Sequence, residues 1–536
     1  MEKGKNVLIN FGLLLSGIIL FALPHPNFIT VQGFPILSYF AFIPIFILVN
    51  RVSWKTVWAY GMLYGTGGYC LFVYWLAIFN PVSVPVIAGQ YALYLMLAFL
   101  VMKAAATFFP KHAMFAEWVV WCAYEYVKTL GFPGFSYGVT AYSHWRWTLL
   151  IQITSVIGVF GLSSVISFTS AWFATVITDK SANVKQKIKN HWISGTIWLV
   201  VFAVVIVYGF VTQVDYSSCE TKKIALIQTN SDPWDGGDSV FKDDLETLIT
   251  LSDAALAADD SVELVVWPET AFVPRISYHY KHRQNPYMYE LVAELLDYLD
   301  SKSVPFVIGN DDCVKGYNKD GVYTDLDYNA TLLFRPGENV IPPEPDRYWK
   351  NHLVPFTEHF PFKKQLPFIY KLLEENDTHF WESSDEKSVF DLDGFKFCTP
   401  ICFEDTFGYI ARDFVLNGAQ AIVNMSNDAW ARTLSCQYQH LAMGVFRTVE
   451  NRIPAVRATS SGQTVLIDPN GKILEMAEPF EKNYLICNLP VVDRTSKTIY
   501  TKYGDYAGKF FVYATCLLFV AGVVIKIMEK KRNGKK

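Results

Sequence analysis

Lys396-Phe397-Cys398-Thr399-Pro400-Ile401-Cys402-Phe403-Glu404 is the stretch on which the reading of the chain turns. An apolar run leads into Cys402, and the Glu404 carboxylate follows two residues later. A helix is expected close behind, because Asp405 and Thr406 are good capping residues. A thiol at an abrupt strand-to-helix turn can be exposed and electrostatically tuned. An isolated cysteine is more often a small buried apolar residue. A chemical role for Cys402 therefore needs a base, a charge partner and a substrate from elsewhere.

The chain has 536 residues, 51% hydrophobic and 16% aromatic, more than one ordinary domain contains. Apolar residues crowd the first 215 positions, whereas acids and bases concentrate between about 216 and 500. A net charge of −4 suggests no nucleic-acid partner. Nine cysteines in so long a chain form no dense disulfide framework, and Cys70, Cys122 and Cys516 fall in apolar spans where packing is expected.

Membrane spans are expected at residues 7–25, 31–49, 57–78, 84–106, 112–130, 148–175, 192–212 and 506–527. Most approach or exceed the roughly 20 residues that cross a bilayer as a helix. The first resembles a signal peptide in length, but it lacks a small-residue cleavage pattern and reads as a retained anchor. Basic residues occupy alternate sides: Lys3 and Lys5, Arg51 and Lys55, Lys103 and Lys111, Lys180 to Lys189, and Lys526 to Lys536. With eight spans all five segments share one face, which the positive-inside rule makes cytoplasmic. Both termini are then cytoplasmic and the polar domain periplasmic. The expected division is a membrane domain at 1–215, an extramembrane domain at 216–500, and a last span with a basic tail at 501–536.

Between spans five and six, Gly131-Phe132-Pro133-Gly134-Phe135-Ser136-Tyr137-Gly138 demands a turn, and Ser143-His144-Trp145-Arg146 follows. Its aromatic residues either anchor the chain at the interface or line an acyl-chain entrance. Glu125 and Lys128, three apart on one helical face, can pair, and inside an apolar span such a pair is either structural or functional.

In the polar part, strands are expected at Ile224–Gln228, Val262–Trp267, Pro305–Gly309, Asn329–Phe334, Phe395–Ile401, Ala421–Met425, Ala455–Ala458, Thr464–Ile467 and Tyr484–Cys487. Helices are expected at 242–257 and 285–300, and Pro469-Asn470-Gly471 predicts a hairpin. This alternation predicts an α/β layered domain.

Three residues can supply joint chemistry. Glu269 follows Pro268 at an expected strand end, Lys350 precedes an Asn351-to-Glu358 turn, and Cys402 lies in the stretch above. Taken singly, Glu269 reads as a solvated loop carboxylate, Lys350 as a surface lysine and Cys402 as an inert thiol. Together, Glu accepts a thiol proton, Lys stabilises an anion and sulfur attacks an acyl carbon.

Trp267-Pro268-Glu269-Thr270, Lys350 with Leu353-Val354-Pro355-Phe356 and Glu358, and Ile401-Cys402-Phe403-Glu404 resemble the motifs of the apolipoprotein N-acyltransferases. Asn427-Asp428-Ala429-Trp430, Gln439-His440, Arg457-Ala458-Thr459 and the Gly131-Phe132-Pro133 loop extend the resemblance over nearly the whole chain. The resemblance implies a multi-pass helical membrane domain, with a four-layer αββα nitrilase-like domain inserted between spans seven and eight. It implies a catalytic Glu269, Lys350 and Cys402. Cys402 would take an acyl group from a membrane phospholipid, typically phosphatidylethanolamine. The thioester would pass that group to the α-amino group of a diacylglyceryl-cysteine at the N-terminus of an apolipoprotein, in the bacterial inner membrane. No cofactor and no metal are implied.

On this reading Glu269 is the base and Lys350 the anion stabiliser, with a backbone N–H near Phe403 assisting. Glu358 orients Lys350 or forms a local salt bridge, and Glu404 fixes the nucleophile loop. Asn427 and Asp428 shape the pocket or form a turn. Trp234, Phe132, Pro133, Tyr137, Trp145, Phe403 and Trp430 are expected to meet substrate. Thr357, Ala431-Arg432 and Ser460-Ser461-Gly462 depart from the family pattern. A nitrilase-like hydrolase, or an inactive membrane scaffold, are the competing readings.

Overall fold

The computed structural model describes residues 2–79, 81–318, 321–375, 379–492 and 496–533. Lys535 and Lys536 of the expected basic tail lie outside the described residues. Contacts divide the chain into one unit of Met1–Gln213, Thr433–Ala442 and Lys502–Lys536, and another of Val214–Arg432 and Met443–Thr501.

The first unit is helical. Among the described residues, five helices are long and apolar enough to cross a membrane: Gly4–Ala22, Ser83–Phe108, Thr154–Thr178, Val184–Val211 and Tyr506–Asn533. The other three expected spans form shorter helices. In 31–49, Pro35 and Pro44 each start a new segment, so the run divides into a 3₁₀ turn at Pro35–Tyr39 and a helix at Ile43–Arg51. Val57–Phe72 has 16 residues and Ala113–Val127 has 15, so each rises only about 24 Å or less.

Glu125 and Lys128 do not form such a pair. Glu125 Oε1 accepts from the Thr140 backbone and hydroxyl, while Lys128 Nζ donates to the Tyr69 hydroxyl and the Tyr137 carbonyl. Both groups are buried; uncharged partners nearby take Lys128 Nζ and Glu125 Oε1, while Glu125 Oε2 is left without a hydrogen bond. Gln439 also belongs to this unit. It accepts from Trp75 Nε1 at 3.1 Å and donates to the Pro26 carbonyl at 2.8 Å.

The second unit holds two six-stranded sheets. The first sheet contains β1 (Thr221–Gln228), β2 (Leu264–Val266), β3 (Phe306–Tyr317), β4 (Tyr323–Phe334) and β5 (Asp346–Trp349). The second contains β6 (Phe390–Leu392), β7 (Phe395–Cys398), β8 (Ala421–Ser426), β9 (Ala455–Thr459), β10 (Val465–Ile467) and β11 (Ile473–Met476). The last strand, β12 (Asn483–Pro490), returns to the first sheet, giving the orders β12-β1-β2-β3-β4-β5 and β11-β10-β9-β8-β7-β6. Strands β1, β2 and β3 run parallel, as do β7, β8 and β9. The predicted hairpin forms between β10 and β11.

Helical periodicity explains the packing on the first sheet. Phe241, Leu245, Leu248, Ser252 and Ala255 form the buried stripe of helix Phe241–Ala258. Helix Pro286–Asp300 buries Leu291, Val292, Leu295, Leu296 and Leu299, each worth about 1.5–3 kcal/mol of transfer free energy. Asn285 starts that helix by accepting from the Met288 N–H, with Pro286 behind it.

The expected cap after Cys402 is absent. Residues Cys402–Thr406 form a 3₁₀ turn, and the α-helix starts at Gly408 after an Phe407 cap with no side-chain bond. Asp405 instead pairs with Arg457, and the Thr406 hydroxyl donates to the Phe403 carbonyl. A buried guanidinium outcompetes the helix end for the Asp405 carboxylate.

Candidate active site

Four strand ends deliver the site. Glu269 follows β2, Lys350 follows β5, Cys402 follows β7 and Asn427 follows β8. Such carboxyl ends of strands are where α/β sheets commonly place ligands. Gly309 on β3 lies under the Pro268–Thr270 turn so closely that any Cβ there would strike its backbone. That contact seats Glu269 against the sheet.

Glu269 and Lys350 meet Glu358 in a buried cluster. Lys350, with no exposed surface, donates to Glu358 Oε1 at 2.8 Å and to Glu269 Oε1 at 3.2 Å. Glu269 Oε1 also accepts from Asn329 Nδ2, and its Oε2 accepts from the Asn427 backbone N–H, each at 2.8 Å. The Val354 N–H holds Glu358 Oε2 at 2.9 Å. Burial disfavours charge on Lys350, but the Glu269 and Glu358 carboxylates outweigh it and hold the ammonium above the usual lysine range. Burial raises the Glu358 carboxyl, with Lys350 opposing.

Cys402 is half-buried and sits at φ 50°, a left-handed backbone uncommon for a side-chain-bearing residue. Thr270 and Phe356, beside Glu269 and Glu358, also have positive φ, at 43° and 67°. Burial pushes the Cys402 thiol well up, the Glu269 carboxylate adds to this, and the Lys350 ammonium opposes both. The thiol is thus the resting form. Moving its proton to Glu269 transfers negative charge to sulfur without changing the net charge of the buried cluster, so no charge is newly desolvated.

Glu404 is a strut. Its carboxylate accepts from the Ile401 N–H just before the cysteine, from the Asn351 and His352 N–H groups just after Lys350, and from the Tyr348 hydroxyl.

The remaining expected residues are scattered. Phe403 is buried against His352 and Phe407. Trp430 is half-buried, and half-exposed Trp234 packs on His379 and Trp381. Asn427 Nδ2 donates to Asp232 at 3.0 Å. In the helical unit, Phe132 and Pro133 are half-buried, whereas buried Tyr137 packs on Trp75 and Phe135, and buried Trp145 on Tyr438. Sequence reasoning missed Asn329, Tyr348 and Ser426. The first lies at the start of an expected strand, yet no local pattern links it to Glu269.

Residues 223–497 match the carbon-nitrogen hydrolase family, and residues 16–172 match the apolipoprotein N-acyltransferase N-terminal domain. Apolipoprotein N-acyltransferase 1 of Treponema denticola is 44% identical, over 94% of this chain and 95% of its own length. The chain belongs to the apolipoprotein N-acyltransferase family. The Treponema pallidum apolipoprotein N-acyltransferase 1 is also 44% identical, over 99% of both chains, and the Borreliella burgdorferi apolipoprotein N-acyltransferase is 27% identical over 96% of this chain and 95% of its own. Like the apolipoprotein N-acyltransferases, this chain is an acyltransferase with a nitrilase-like α/β domain inserted into a multi-pass helical region.

Proposed function

We propose that this chain transfers an acyl group from a membrane phospholipid, with phosphatidylethanolamine the expected donor, to the N-terminal amine of diacylated apolipoproteins. The observation that carries the residue assignment is the buried Lys350 held between Glu269 and Glu358 and electrostatically coupled to Cys402. Glu269 takes the Cys402 proton as sulfur attacks the ester carbonyl. The tetrahedral oxyanion is stabilised by Lys350 and the backbone N–H at Phe403. Collapse breaks the ester C–O bond, and the departing lysophospholipid oxygen receives the proton from Glu269. A thioester remains. The free amine then attacks it, Glu269 takes the amine proton, and the C–S bond breaks to release amide and thiolate, which is reprotonated.

Glu358 orients Lys350, Glu404 holds the nucleophile turn, and Asn427 anchors Glu269. Trp234, Phe403, Trp430, Phe132, Pro133, Tyr137 and Trp145 are assigned to the substrate path. Eight spans, both termini cytoplasmic and a periplasmic catalytic domain complete the proposal, with domain limits at 1–215, 216–500 and 501–536. The basic-segment alternation supports that orientation. Fixing the reaction to a bilayer has a physical reason, since each acyl CH₂ drawn into water costs about 0.8 kcal/mol.

Reconstitution with labelled phospholipid and a diacylated lipopeptide tests the reaction. Labelled amide is expected, and no thioester from Cys402→Ala. Phospholipid hydrolysis without N-acylation would make the chain a hydrolase instead.

A further inference from the structure

Ser426 closes β8 beside the nucleophile, because the bridge between Ile401 and Met425 sets the two following residues, Cys402 and Ser426, next to each other. It is fully buried. Its hydroxyl lies 3.3 Å from Asp428 Oδ1 and within hydrogen-bonding reach of the Cys402 sulfur. One hydroxyl proton cannot serve both acceptors at once. The bond to Asp428 is long beside the usual 2.7–2.8 Å of an O–H···O bond, so it is easily given up.

Asp428 has other support. Arg457 Nη2 lies 3.8 Å from its Oδ2, and Arg457 is also paired with Asp405. A Cβ on Gly462 would lie 2.9 Å from Asp428 Oδ2, so the carboxylate lies close against the glycine. Asp428 therefore stays in place when the hydroxyl turns away.

Resting on the assignment of Cys402 as the nucleophile, we infer that Ser426 is a positioning residue with two hydrogen-bonded states. Its hydroxyl donates to Asp428 while Cys402 keeps its proton, and turns to donate to sulfur when that proton passes to Glu269. Only the S–H bond breaks and only an O–H bond on Glu269 forms. The rotor supplies the thiolate with a donor at the moment charge appears, at the cost of one weak bond.

The charged groups facing Cys402 come from several elements. Glu269 follows β2, and Lys350 follows β5 with Glu358 behind it. Asp428 follows β8, backed by Arg457 of β9 and by Asp405. On the cysteine's own turn, Glu404 is directed to the Ile401, Asn351 and His352 N–H groups, and His352 packs on Phe403. Substituting Ser426 leaves every one of them present.

The test is the pH dependence of iodoacetamide alkylation at Cys402 in the full-length, detergent-solubilised protein, read by peptide mass spectrometry. In Ser426→Ala the midpoint should rise by about one pH unit, with alkylation about tenfold slower below it. Ser426→Thr, which keeps a hydroxyl, should stay near the native profile. Ser426→Gly gives a second hydroxyl-free side chain and should shift like alanine. Superimposable profiles for the native, alanine and glycine proteins, or equal shifts in threonine and alanine, overturn the inference. A Cys402 unreactive at every pH in the native chain overturns the nucleophile assignment, and this inference with it.

Discussion

The Lys350 ammonium lies 3.2 Å from Glu269 Oε1, with neither side chain more than marginally exposed. Glu358, at 2.8 Å on the other side, leaves the three groups with one negative charge in excess. A buried excess of this kind is tolerated because backbone N–H groups at Val354 and Asn427 and the Asn329 amide share it. It also leaves Glu269 able to accept a proton without stranding a new charge.

Glu269→Gln tests that capacity. Glutamine keeps an oxygen for Lys350 but cannot take the thiol proton. Rapid quenching with labelled phospholipid should show thioester formation slowed by about 10²–10⁴-fold. An unaltered acylation rate would remove Glu269 from the base role.

Glu358→Gln acts through Lys350. Both carboxylates hold the lysine charge above its usual range, so loss of one lowers the pH at which that charge disappears. A group with a raised value keeps its effect below that value and loses it above. The alkaline limb of the pH–rate profile should therefore move to lower pH in this variant. No movement would separate Glu358 from Lys350 electrostatics.

Glu404→Ala removes the acceptor of the Ile401, Asn351 and His352 N–H groups and of the Tyr348 hydroxyl. Each buried donor left without a partner costs about 1–3 kcal/mol, so the loss in stability should be about 3 kcal/mol or more. Glu404→Gln retains one oxygen and should lose less. Thermal unfolding in detergent measures both, and equal melting temperatures would dismiss the strut.

His352 predicts an acid limb of stability. Burial first, then Lys350 and Lys387, lower its imidazole from 6.5 to about 4. The unfolded chain binds this proton more readily, so the contribution is complete above about pH 6.5 and lost as pH falls toward about 4. In that window the melting temperature should fall less steeply for His352→Gln than for the native chain.

Much of the layered domain was legible in order and type, because its strands are short apolar runs bounded by turn residues and its helices carry a 3.6-residue stripe. The long arms of β3 and β4 were missed, since Asp311, Asp312, Asp325 and Asp327 have low strand propensity, and it is their 12-residue pairing together with ion pairs to Arg275, Arg347 and Lys315 that holds them there. Strand β5 was hidden by Pro342, Pro343 and Pro345 just before it, yet it is the strand that delivers Lys350. In the helical unit, apolar content located the segments but overstated the length of three helices; in one of them hydropathy does not register where Pro35 and Pro44 restart the backbone.

What the sequence determined by itself is the family and the candidate reacting groups. Glu269, Lys350 and Cys402 stand in motifs specific enough to name the family, and apolar runs long enough to require a bilayer surround the polar domain. Tertiary structure decided how those groups are used. Cys402 and Glu404 are two residues apart, yet Glu404 turns to four donors on the β5 and β7 ends, while Glu269, 133 positions away from Cys402 in the numbering, adds to the effect of burial in raising the thiol. Sequence distance carries no information about which carboxylate faces the sulfur. That is set by the tertiary fold, since Glu269 and Lys350 follow strands of one sheet and Cys402 and Asn427 follow strands of the other.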